Sequence, residues 1–258
     1  MNLLARPFRK RNRQSAPPSA DFSEQLARKF PDAHPHHRET IAAVSPATMT
    51  SPERILSLCE AIDYIQNNNI PGDIVECGVW KGGSMAAIAR TLVHSGSTQR
   101  KLWLYDTFEG MSAPTDDDVD FLGRGASQLL DAAPTDQADS RESIWCRCAL
   151  EQVRDTMALT TYPNQNIRYV KGKVEDTLAT ESPDQISLLR LDTDWYESTR
   201  CEMETLFPKL AIGGVLVIDD YGHWQGCRKA VDDYFSQNNI CMFLHRVDYT
   251  GRLGIRQA

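Results

Sequence analysis

Two stretches of this 258-residue chain end apolar runs on paired aspartates. In ISLLRLDTDWYEST, residues 186–199, the run closes on Asp192 and Asp194; in VLVIDDYGHW, residues 215–224, it closes on Asp219 and Asp220. A short apolar run that ends in polar residues predicts a buried parallel strand, and ligands of open α/β sheets sit at the carboxyl ends of such strands. Asp192 and Asp219 lie 27 positions apart (219 − 192), close to the ~30 residues of one strand, helix, strand unit. The two strands are therefore expected side by side. Four unpaired carboxylates at the rim of a dry sheet raise one another's pKa unless a cation joins them. A divalent metal is the simplest such cation.

The elements that must position these carboxylates alternate strand and helix. SPERILSLCEAIDYIQ, from Ser51, opens with a helix-start pattern and carries Ile55, Leu58, Cys59, Ile62 and Ile65 at helical spacing. Pro71-Gly72 breaks the chain before a short strand that ends at Glu76, and the turn GVWKGGS supplies Gly78, Gly82, Gly83 and Ser84. Glycines there let a ligand approach the backbone where the strand turns into the helix SMAAIARTLV. The next strand, KLWLYD, ends on Asp106, 28 positions past Gly78 (106 − 78), where an acid can bind ribose hydroxyls. Glu76, Gly78 and Asp106 together predict an adenosine site. A third strand, IRYV, ends at Lys171-Gly172, which places Gly172 and Val174 beside the base.

The fourth strand carries Asp192, a helix spans about 195–210, and Gly213-Gly214 turns into the fifth strand at Val215. This βαβαβαβαβ order predicts an α/β fold with a parallel sheet, helices on both faces and right-handed crossovers. After the helix CRKAVDDYFSQ, two strands around a Thr250-Gly251 turn predict an antiparallel hairpin at one edge. Residues 110–140 are expected to form a lid or substrate loop, with Asp116, Asp117, Asp118 and Asp120 as a solvated turn of capping carboxylates.

Composition narrows the function. The chain is 41% hydrophobic and 24% charged with a net charge of −7, which gives no general attraction to nucleic acid or anionic lipid. No apolar run reaches the ~18 residues of a membrane span. Seven scattered cysteines suit reduced thiols in a cytoplasm, and the Cys146, Cys148 pair lacks the further ligands of a zinc site. Residues 1–45 are read as an N-terminal extension preceding a domain of residues 46–258. Its Arg6, Arg9, Lys10, Arg11 and Arg13 form a solvated basic arm, and the His34, His36, His37 segment PDAHPHHRET, with two prolines, a loop.

Five segments in order at the predicted strand ends, VECGVWKGGS, LYDTFEGM, TDDDVDF, LRLDTDWYEST and VIDDYGHW, resemble the macrocin-type sugar O-methyltransferase family, whose members methylate deoxysugar hydroxyls of macrolide and aminocoumarin antibiotics. The resemblance implies a Rossmann-like class I methyltransferase fold with a mostly parallel seven-stranded sheet, and S-adenosylmethionine as the methyl donor. It implies Mg²⁺ held by Asp192, Asp219 and Asp220, with Asp194 as general base. It implies cofactor contacts among Glu76, Gly78, Gly82, Ser84, Asp106, Phe108, Gly172, Val174 and Asp192, with Met49 and Thr50 of the TMTS segment folding over the cofactor. A sugar or glycoside acceptor and a homo-oligomer, dimer or higher, follow from the same likeness. Oxygen-only ligation suits Mg²⁺, then Mn²⁺, ahead of zinc. His223, just past the second aspartate pair, is a candidate acceptor contact. Two rival readings use the same residues: a metal-dependent phosphoesterase, and a non-catalytic protein that binds S-adenosylmethionine.

Overall fold

The computed structural model describes residues 20–135, 138, 140 and 142–257; the basic arm lies outside them. Five strands, β1 (Asp73–Cys77), β2 (Leu102–Asp106), β3 (Ile167–Lys171), β4 (Ile186–Leu191) and β5 (Leu210–Ile218), run parallel. They belong to a seven-stranded sheet of order β3-β2-β1-β4-β5-β7-β6. β7 (Arg252–Ile255) pairs antiparallel with β5 and with β6 (His245–Arg246), the expected edge hairpin.

Alternate strand residues feed two cores, which is why the runs read as continuously apolar. Ile74, Leu102, Leu104, Leu188 and Val217 pack with α3 (Pro52–Asn67) and α4 (Gly83–His94) on one face. Val75, Tyr105, Leu189, Leu191 and Ile218 pack with α8 (Tyr196–Thr205) and α9 (Gln225–Gln237) on the other, and α5 (Ala126–Ala132), α6 (Leu150–Ala158) and α7 (Val174–Thr177) fall between β2 and β4 in the chain. Most of these side chains are fully buried, each contributing about 1.5–3 kcal/mol. The chain leaves β1 for β2 and β3 and returns to β4 on the opposite side, so the strand order reverses between β1 and β4. A crevice opens at the carboxyl ends of such a pair. Asp192 N–H donates to Cys77 O and Asp219 N–H to Leu191 O, both at 2.9 Å, carrying the ladder one step past β4 and β5.

Three local readings are corrected. PDAHPHHRET is not a loop: α1 (Ala20–Lys29) is followed by α2 (Pro35–Val44). Proline is tolerated in a first helical turn, and His34 Nδ1 caps the helix by accepting the His36 N–H at 3.2 Å. Ile41, Ala42 and Val44 then join Leu26 and Phe30 in the core. The histidines pack rather than ligate: His36 stacks on His94 with ring centres 3.8 Å apart, and His37 pairs with Asp63 at 2.9 Å. The helix expected over about 195–210 ends at Thr205, and β5 begins at Leu210. Gly213 and Gly214 lie inside β5, where extra residues bulge between the Leu210 and Val215 pairings; Gly213 takes φ +80° and both glycines bond to Arg256.

Candidate active site

A cavity of about 750 Å³ opens at the carboxyl ends of β1, β2, β4 and β5. Of the residues singled out from sequence, Met49, Thr50, Gly78, Ser84, Asp106, Gly172, Val174, Asp192, Asp194, Asp219, Asp220 and His223 line it. Glu76, Gly82 and Phe108 are not part of its wall. Glu76 lies beneath the site in β1, Gly82 turns the chain into α4 at φ +83° against Val153, and the Phe108 ring is buried in the core. These three shape the site from behind.

The β1 end is a close-approach turn. Gly78 sits at φ +80°, and a Cβ there would fall 1.9 Å from Asp192 O. Asp106 Oδ2 accepts the Val79 and Trp80 N–H groups at 2.7 and 3.0 Å, while Oδ1 accepts that of Phe108 at 2.7 Å. The acid expected to face ribose thus also pins the glycine turn. Thr48, Met49 and Thr50 reach the cavity over the start of α4, where Gly83 leaves room for Ala47 O, which a Cβ would meet at 2.5 Å.

At the other end the ligand atoms of Asp192, Asp219 and Asp220 lie within 4.8 Å of one another. Among the described residues they form the one group of three or more His, Cys, Asp or Glu side chains that converge in this way. The expectation that these carboxylates lack a protein counter-charge is corrected by two arginines. Arg190, opposite Glu76 across the β1–β4 register, is fully buried and bonds Glu76 at 2.6 Å, Asp192 at 2.7 Å and Asp219 at 2.7 Å. Arg54 pairs with Asp219 and with Asp248, the latter at 2.9 Å. Burial raises the Asp219 carboxyl, but Arg190 and Arg54 outweigh it and hold the group below the usual carboxylate range. Burial keeps Asp192 well above that range despite Arg190, and burial with the charges of Asp194 and Asp219 does the same to Asp220. Asp194, at φ +67°, is pushed up to about 7 by burial and by Asp192. Six carboxylates, with Glu76 and Asp248, face two guanidiniums.

Arg190, Arg54 and Asp248 belong to the site without standing among the residues singled out from sequence. A signal for Arg190 was present, a lone charge inside the run ISLLRL. The acidic run was misjudged in part: Asp116 and Asp117 are exposed, but Asp118 and Asp120 are fully buried. Asp118 caps Thr115 and Tyr196 N–H groups at 2.6 and 2.7 Å, and Asp120 caps those of Leu122 and Arg124, both at 2.9 Å. The turn they fix holds Phe121 outward at 52% exposure, its ring edge-on to His223 at 5.3 Å. Tyr249 OH meets His223 Nδ1 at 3.3 Å, so an aromatic rim borders the carboxylate end.

The macrocin O-methyltransferase family model matches residues 20–253. The chain belongs to that family. It is 30% identical over 204 residues to demethyldecarbamoylnovobiocin O-methyltransferase of Streptomyces niveus, covering 79% of this chain and 73% of the relative. It is 32% identical to 8-demethyl-8-(2,3-dimethoxy-α-L-rhamnosyl)-tetracenomycin-C 4'-O-methyltransferase of Streptomyces olivaceus, with the same coverage of 79% and 73%. The solved structure of the O-methyltransferase NovP superimposes with a TM-score of 0.70 at 29% identity, over 82% of this chain and 83% of that one. This macrocin-family protein is therefore an S-adenosylmethionine-dependent O-methyltransferase, which sets aside the phosphoesterase and non-catalytic readings. Among its described residues no helix is long and apolar enough to cross a membrane.

Proposed function

We propose that the protein methylates a sugar hydroxyl of a glycosylated natural product or polysaccharide precursor, with Asp194 as the base and Asp192, Asp219 and Asp220 as ligands of a Mg²⁺ ion. The observation that carries this reading is the convergence of those carboxylates, across one cavity, on the Gly78 turn and the Met49, Thr50 strap. The donor set fits a hard divalent ion: it is all oxygen, and Asp220 Oδ2 is buried with no hydrogen-bond donor. When bound, the ion would lower the pKa of a coordinated hydroxyl, and S-adenosylmethionine would supply an electrophilic sulfonium methyl.

The chain's own residues account for the rest. Met49, Thr50, Gly78, Ser84, Asp106, Gly172 and Val174 would hold the donor across the β1, β2 and β3 ends. A sugar hydroxyl is a poor nucleophile until it loses its proton, and a base is best matched when its pKa lies near the operating pH. Asp194, raised to about 7, meets that condition. Phe121, His223 and Tyr249 offer an aromatic rim to the apolar face of the acceptor, and the rhamnosyl acceptor named for the Streptomyces olivaceus relative supports a sugar there. Seven scattered cysteines, several of them buried, support a reducing cytoplasm, and a homodimer or higher oligomer is measurable by light scattering.

The test is methyl transfer from labelled S-adenosylmethionine to a panel of glycosides, with and without chelator. Transfer should need the ion, and Asp194→Asn should lower kcat about 10²–10⁴-fold while S-adenosylhomocysteine binding persists. Transfer that survives EDTA refutes the ion; full activity in Asp194→Asn refutes the base.

A further inference from the structure

We propose that Glu202, outside the cavity wall, is a positioning residue that tethers the Asp192-Thr193-Asp194 turn in its working shape through the Thr193 hydroxyl. This rests on Asp192 and Asp194 acting as proposed above. Successive side chains of an extended segment point to opposite sides. Asp192 and Asp194 present carboxylates to the cavity, whereas Thr193 Oγ1 donates to Glu202 Oε1 on α8 at 2.9 Å. The Thr193 carbonyl is held too, accepting the Trp195 N–H at 2.7 Å and the Ser198 hydroxyl at 3.4 Å. The turn needs such an anchor because Asp194 occupies the left-handed region, which a non-glycine residue adopts only when its surroundings enforce it.

A purely structural role explains Glu202 poorly. The side chain is fully buried, among the described residues no arginine, lysine or histidine pairs with it, and beyond the Thr193 hydroxyl only the Cys77 thiol bonds to it. Its helix neighbours Met203 and Leu206 fill the same core with apolar groups. Burying a carboxyl for one hydroxyl and one weak thiol hydrogen bond costs more than an apolar residue would. The return is a fixed turn carrying both a ligand and the base.

Glu202→Gln keeps an acceptor oxygen, Glu202→Leu removes it, and Thr193→Val removes the donor. Three measurements are made on the full chain: S-adenosylhomocysteine affinity by calorimetry, backbone hydrogen exchange across residues 192–198, and methyl transfer to the glycosides. Glu202→Leu and Thr193→Val should each speed exchange in that segment at least tenfold and lower kcat about 100-fold, the scale of a misplaced reacting group, with affinity within about twofold of wild type. Glu202→Gln should restore both, and the double Glu202→Leu, Thr193→Val variant should be no worse than either single one. Unchanged exchange in Thr193→Val overturns the tether even if Glu202→Leu fails to fold, and so does a Glu202→Gln variant as impaired as Glu202→Leu. Full activity in Asp194→Asn beside an impaired Thr193→Val sinks the base assignment and leaves the tether standing; an inactive Asp194→Asn beside a fully active Thr193→Val sinks the tether alone.

Discussion

Asp220→Asn should push two measurements in opposite directions. Asp220 Oδ2 meets no donor, and burial with the charges of Asp194 and Asp219 raises its carboxyl well above the usual range. The substitution puts a neutral amide, still able to bond to Asp194, where the ion-free site already holds a protonated carboxyl, so the ion-free variant should melt no lower than wild type. The response to Mg²⁺ runs the other way. An ion that binds only the native state, supplied at about 100 times its Kd, stabilises by about 2.7 kcal/mol. Unfolding entropy of about 2.1 cal/mol/K per residue gives a 258-residue chain about 0.5 kcal/mol/K. Wild type should therefore gain about 5 °C in Tm, and Asp220→Asn most of that gain should lose. The pH dependence has a definite sign. The raised carboxyls of Asp192 and Asp220 hold protons that an ion must displace, so the gain should shrink as pH falls from about 8 to about 6. The assay is scanning calorimetry on EDTA-stripped protein titrated with MgCl₂ and, separately, MnCl₂. A wild type indifferent to both ions, or an Asp220→Asn variant with the full gain, would refute the reasoning.

Other substitutions test single contacts. Gly78→Ala forces a Cβ to 1.9 Å from Asp192 O at φ +80°; it should cost at least about 1–3 kcal/mol in urea unfolding and weaken S-adenosylhomocysteine binding, measured by calorimetry. Phe121→Ser removes a ring that is 52% exposed; stability should change by less than about 0.5 kcal/mol while KM for the acceptor rises. Glu202 has a folded pKa well above its usual value because of burial. Its unfolded pKa is about 4.3, so it is penalised increasingly as pH rises from there toward the folded value, and Glu202→Gln should gain stability over wild type at pH 8 relative to pH 5 in denaturant titrations. Equal gains at both pH values would show that Glu202 does not titrate between them.

The sheet was legible because strands buried on both faces write their burial into the sequence. ISLLRL and VLVI carry no alternation to misread, and aspartates mark where they end. The carboxylate end of the site was legible for the same reason. Its counter-charges were not: Arg54 lies on a helix 165 residues from Asp219 (219 − 54), and only the β1–β4 register sets Arg190 against Glu76. The donor half was legible as a turn but not as a surface, since Gly82 and Phe108 sit in the right motif and face inward. α2 was hidden because the segment 31–40, with two prolines and three histidines, looks like a loop until His34 is seen to cap the helix and Ile41 and Val44 find α1 and α4.

The edge hairpin ties completion of the site to the order of synthesis. Thr250 Oγ1 donates to Asp219 O at 2.7 Å, and Asp248 accepts from Ser51 at 2.7 Å and from Arg54 at 2.9 Å. β7 begins 34 residues after β5 ends (252 − 218). Until the ribosome has made it, Val215 and Val217 belong to an open edge strand, the kind of edge that invites pairing with another chain. A nascent chain stalled between α9 and β7 would hold all four cavity aspartates, yet the loop that orders Asp219 and Arg54 would still be missing. The β6–β7 hairpin is thus at once the cap on a sticky edge and the last part of the carboxylate site to arrive.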